Sequence, residues 1–109
     1  MTKIREITKK LIEFRDQRDW SQFHNSKDLA IALSIEASEL MELFLWKNSE
    51  DADISKVKDE LADVLSFAFL IANNYGFDIG QIIDDKISKN EIKYPIDKAK
   101  GNAKKYNEL

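Results

Sequence analysis

The chain has 109 residues, with 17 basic and 20 acidic side chains and a net charge of -3, which predicts one domain spanning residues 1–109 and gives no global basic field for nucleic acid. It has no cysteine, which excludes a disulfide framework and thiolate chemistry at a metal or a nucleophile. The opening MTKIREITKK is amphipathic and charged, unlike a secretory signal, and the longest uncharged stretch, residues 64–77, is too short to cross a bilayer. A cytoplasmic protein without a membrane partner is expected.

Thr2 to about Asp19 predicts a first helix, with Ile4, Ile7, Leu11 and Phe14 as its apolar stripe. The segment from Trp20 to Asn25 reads as a connector holding two aromatics and the only histidine, His24; by themselves such aromatics usually plug the end of a bundle. Ser26 is the expected N-cap of a second helix reaching about Trp46, with Asp28 in its first turn. That helix is apolar around much of its circumference, more than packing within a small domain needs, which points to burial against another subunit.

A third helix is expected from Ile54, capped by Asp53 or Ser55, to Asn74, with Gly76 suited to the left-handed position behind it. Asp78 with Gln81 predicts the start of a fourth, reaching about Asn90. Tyr94-Pro95 ends it, and the tail from about residue 95, basic and polar, is expected to be extended or partly ordered. No stretch alternates as a strand would. The expected fold is all-α, a bundle of four main helices.

Two carboxylate pairs stand inside the apolar runs: Glu36 and Glu39 on the second helix, Glu60 and Asp63 on the third. The i,i+3 spacing puts each pair on one helix face. In an antiparallel hairpin the arms from Glu39 to Trp46 and from Ile54 to Glu60 nearly match, about seven and six residues, so the pairs come level. Four acids meeting between apolar helices need a cation, and a ligand set of oxygens alone suits a hard ion, Mg²⁺ or Mn²⁺. Bundle di-iron sites use Glu-x-x-His ligands, which this chain lacks.

Mg²⁺ commonly works on phosphates. With 3 glycines in the chain there is no Gly-rich phosphate cradle, so side chains must make the contacts. Lys86, Asn90 and Lys93 share a face of the fourth helix at i, i+4 and i+7, next to Tyr94.

These motifs resemble a known family. Glu36-x-x-Glu39 followed by Glu60-x-x-Asp63 is similar to the signature of the all-α nucleoside triphosphate pyrophosphohydrolases, the MazG-like group that also includes dimeric dUTPases. The likeness is closer to the dCTP pyrophosphatase type. It is carried by Trp20-x-x-Phe23-His24, Glu36-x-x-Glu39-Leu40-x-Glu42-Leu43-Phe44-x-Trp46, Asp59-Glu60-Leu61-Ala62-Asp63-Val64-Leu65 and Lys86-x-x-x-Asn90-x-x-Lys93-Tyr94-Pro95.

The resemblance implies that Glu36, Glu39, Glu60 and Asp63 are Mg²⁺ ligands and catalytic, that Trp20, His24 and Trp46 line a nucleobase pocket, and that Lys86, Asn90, Lys93 and Tyr94 hold the triphosphate. It implies hydrolysis between the α and β phosphates and assembly as a dimer or a dimer of dimers. The expected activity is a Mg²⁺-dependent pyrophosphohydrolase favouring dCTP or a modified dCTP. Its rivals are a broad-specificity house-cleaning enzyme and a non-catalytic helical oligomerisation module with a structural cation.

Overall fold

The computed structural model describes residues 2–109. Among them every regular element is helical: α1 (Thr2–Gln17), α2 (Ser26–Glu42), α3 (Ile54–Tyr75), α4 (Ile79–Lys93) and the single turn α5 (Ile96–Ala99), with short 3₁₀ turns between or after them. The chain forms two compact units, one ending at Phe77 and one spanning Asp78–Leu109.

In the first unit α3 packs against both α1 and α2. Leu29 of α2 and Leu70 and Ala72 of α3 are its buried apolar residues. On α1 the half-buried positions are Ile4, Thr8, Leu11, Ile12 and Arg15, a set rotated from the predicted stripe. Ile7 and Phe14 are more exposed, at 38% and 50%, and a cation stands on the covered face.

Asn25 caps α2 instead of the expected Ser26. Its Oδ1 accepts from the Asp28 N–H at 2.9 Å, and its Nδ2 donates to Asp28 Oδ2 at 2.7 Å, so one side chain answers a bare N–H and fixes the acid beside it. Helix α1 also ends early. Trp20 N–H reaches back to Arg15 O at 3.0 Å across Asp19, which takes φ 54°, the closing bond of a Schellman-type end with Asp in place of glycine.

The largest difference lies at the end of α2. It stops at Glu42, and the next amides bond three residues back: Phe44 N–H to Met41 O at 3.0 Å, Leu45 N–H to Glu42 O at 3.2 Å. The apolar run that favours helix is wound into a tighter 3₁₀-like turn, ending at Trp46 with φ 61°.

Helix α3 follows its signals. Asp53 Oδ1 accepts from Ser55 and Lys56 N–H, and Gly76, at φ 69°, closes the far end with Phe77 N–H donating to Ala72 O at 2.9 Å.

In the second unit, Asp78 Oδ1 accepts from Gln81 N–H at 2.9 Å and starts α4, which runs three residues past Asn90, to Lys93. Tyr94 N–H still donates to Asn90 O at 2.8 Å, and Pro95 prevents further winding. Within the tail, α5 and a 3₁₀ turn at Tyr106–Glu108 are ordered. Among the described residues no helix is long and apolar enough to cross a membrane.

Candidate functional site

Helices α2 and α3 each bring acids to their common face. Glu36, Glu60 and Asp63 each offer a carboxylate oxygen, and these atoms all lie within 4.8 Å of one another. Glu36 and Glu60 are half-buried, Asp63 exposed. Oε2 of Glu36 and Oε2 of Glu60 are buried with no hydrogen-bond donor. Two carboxylates can answer each other only when one carries a proton.

The electrostatics follow from that geometry. Burial, first, then the neighbouring carboxyls of Glu39 and Glu60 and the charge of Asp63 push the Glu36 carboxyl up to about 7. Glu60 is raised as well, by burial and then by Glu39 and Asp63, with Glu36 working the other way. Glu39, on the exposed side of α2, thus acts on both. Acids this crowded keep a proton unless a cation replaces it. The orphaned oxygens and the all-carboxylate donor set fit a hard divalent ion.

Against this cluster lies a cavity of about 350 Å³, within the range of small-molecule sites. Leu11, Phe14 and Arg15 of α1, Trp20 and His24 of the connector, and Asp63, Ser66, Phe67 and Leu70 of α3 line it. The connector is pinned to α3: Asn74 Nδ2 donates to His24 O at 3.0 Å and to Ser26 Oγ at 3.3 Å. Trp20 meets Phe14 edge-on at 5.8 Å between centroids, and the His24 ring meets Phe67 at 6.3 Å. Nδ1 of His24 is buried without a partner, and burial, then the positive charge of Arg15, lower its pKa. Both effects favour the neutral imidazole.

Trp20 and His24 therefore line one cavity with Asp63. Trp46 does not line that cavity; it is 99% exposed at the end of the turn after α2. Lys86, Asn90 and Lys93 lie on α4, and Tyr94 follows it, all in the second unit. There the Lys93 ammonium sits 4.9 Å from the centre of the Tyr106 ring, which meets Tyr94 edge-on.

Reading the sequence missed Phe14, Arg15, Ser66, Phe67 and Asn74. Arg15 had a signal, since it stands one helical turn after Leu11 on the same face of α1. Asn74 had none, because its partners are a distant carbonyl and hydroxyl brought near only by packing.

The MazG-like family model matches residues 31–109, a range holding all four acids, Trp46 and the α4 residues. Over 114 aligned positions the chain is 32% identical to dCTP pyrophosphatase 1 of Mus musculus, covering 97% of this chain and 67% of that protein. It matches dCTP pyrophosphatase 1 of Homo sapiens with the same identity and coverage. Among solved structures it is similar to a pyrophosphatase from Archaeoglobus fulgidus, with TM-score 0.78 and 36% identity, covering 84% of this chain and 91% of that one.

Proposed function

The chain belongs to the MazG-like family, and from that premise we propose that it is a Mg²⁺-dependent nucleoside triphosphate pyrophosphohydrolase. In this reading it cleaves between the α and β phosphates to give a nucleoside monophosphate and pyrophosphate. Its kinship with dCTP pyrophosphatases makes it a nucleotide diphosphatase-type hydrolase and favours dCTP or a modified dCTP as substrate.

One observation carries the reading: Asp63 belongs both to the acid cluster and to the wall of the cavity lined by Trp20 and His24. An acid cluster that could hold a cation and an aromatic-lined hollow thus share a residue, the arrangement a nucleotide needs when its phosphates meet metal and its base meets aromatics. Glu36, Glu39, Glu60 and Asp63 would hold Mg²⁺, with Mn²⁺ as a substitute. When bound, such an ion neutralises phosphate charge and makes a nearby water more acidic.

The chain's own groups do the rest. Glu36 or Glu39 takes the proton of the attacking water. Trp20 and Trp46 stack on the base and His24 meets its edge. Lys86, Asn90, Lys93 and Tyr94 hold the triphosphate. Self-association as a dimer or a dimer of dimers is part of the proposal, supported by exposed Ile31 and Ile35 on α2 and Leu61 and Leu65 on α3, each 44–54% accessible. An exposed Trp46 suits a site completed by a second copy.

Pyrophosphate release from the four canonical dNTPs and 5-methyl-dCTP, with Mg²⁺ and after EDTA dialysis, tests this. Turnover of dCTP that needs added metal is expected. Equal turnover of all five would give the broad-specificity enzyme instead, and none at all the oligomerisation module. Full activity in the dialysed protein would remove the metal from the mechanism.

A further inference from the structure

Arg15 is a charged side chain on the covered face of α1, only 13% exposed, in the wall of the cavity that also holds His24 and Trp20. Its Nε donates to Asp16 Oδ1 at 3.0 Å. The four N–H bonds on its two terminal nitrogens have no acceptor among the described residues. Neither terminal nitrogen is among the buried, unpartnered atoms, so both stay open to an acceptor that enters the cavity, and Asp63, which lines the same cavity, makes no ion pair with the guanidinium within 4.0 Å.

We propose that Arg15 reads the base in this cavity, its planar fork selecting a ring edge with two adjacent acceptors over an edge that interrupts them with an N–H. The inference rests on the cavity being the base site of the hydrolase above. Arg is donor-only and rigid, so it pairs two parallel acceptors and rejects a donor between them. Cytosine presents O2 beside an unprotonated N3. Uracil and thymine present O2, N3–H and O4, and put a hydrogen against the fork. Guanine offers a matching pair at O6 and N7. Adenine offers no carbonyl. The unpartnered Nδ1 of the neighbouring His24 can accept from an exocyclic amine such as that on cytosine C4, in the tautomer with its proton on Nε2.

A rival role for Arg15 is a phosphate contact, and the two separate cleanly. A phosphate contact serves every base alike and survives replacement by lysine, whereas a fork that reads two acceptors does neither. The experiment is calorimetric binding of dCMP and dUMP to the wild-type chain, Arg15→Gln and Arg15→Lys, with melting temperatures alongside. Pyrophosphate release from dCTP is assayed separately, so loss of the hydrolase reading shows there while the binding ratio still scores Arg15.

Wild type is expected to prefer dCMP over dUMP by about ten-fold or more, and both variants to lose most of that preference, in keeping with what a bidentate contact discriminates. Equal weakening of both ligands in Arg15→Gln, restored in Arg15→Lys, would make Arg15 a phosphate contact and overturn the proposal. A lower melting temperature with the preference intact, in either variant, would make it structural and do the same.

Discussion

At the scale of single residues, the acids divide by surroundings rather than by type. Glu36 is the one whose carboxyl reaches about 7, so in the folded, metal-free chain it keeps a proton that the unfolded chain releases near 4.5. The folded state then binds more protons across that interval, and stability falls as pH rises from about 4.5 to about 7. Thermal melts of metal-free protein between pH 5 and 8 should show a falling midpoint, and saturating Mg²⁺ should flatten the slope. A midpoint that climbs with pH in the absence of metal would contradict the crowding of the cluster. The two tryptophans also part company. Trp46, 99% exposed, makes no packing contribution within the chain, so Trp46→Ala should leave the melting temperature of the monomer unchanged. It should raise KM for the best nucleotide by roughly ten-fold, the cost of a lost stacking partner. An unchanged KM would remove Trp46 from the base site. The spacing of the acids was legible because i,i+3 pairs on neighbouring helices need only α-helical geometry. The place of Arg15 was only half legible: its spacing from Leu11 puts the two on one face of α1, but which side of the Ile4–Leu11 line is covered is set by where α3 lies.

At the scale of elements, the readable boundaries were those with a local chemical signal. Asp53 and Asp78 cap their helices through their own carboxylates, and Gly76 supplies the left-handed residue after α3. The end of α2 carried no such signal. Leu43, Phe44 and Leu45 suit a helix, yet their amides bond three residues back, and the left-handed residue is Trp46, where a bulky side chain costs about 1–2 kcal/mol. Strain of this kind persists when something else is gained, here a fully presented indole. Trp46→Gly should therefore raise the thermal midpoint while lowering activity, opposite movements that a differential scan and a rate assay would register together. Gly76→Ala runs the other way. A Cβ there meets nothing within 4 Å, so the penalty is backbone conformation alone, about 1 kcal/mol, or roughly 4–8 °C for a unit of this size. A larger fall would mean a packing clash that the structure does not contain.

At the scale of the whole chain, the all-α class and the helix order were legible from periodicity, while the division into a unit ending at Phe77 and a unit from Asp78 was not, since Gly76-Phe77-Asp78 reads equally well as a tight turn within one bundle. The over-apolar character of α2 was legible too. It survives folding as exposed Ile31 and Ile35, beside exposed Leu61 and Leu65 on α3, surface that a lone small domain rarely leaves open. Leu65→Glu should shift the sedimentation coefficient to that of a monomer if these residues join copies, and leave it unmoved if they do not. The account as a whole turns on Asp63, which joins the acid cluster to the cavity. Its most direct test follows dCTP by ³¹P NMR in the presence of Mg²⁺, with the wild-type chain and with Asp63→Asn, whose circular dichroism should match wild type. The account predicts dCMP and pyrophosphate from the wild-type chain and no turnover from the variant. Formation of dCDP and inorganic phosphate, or a variant as active as the wild type, would contradict it.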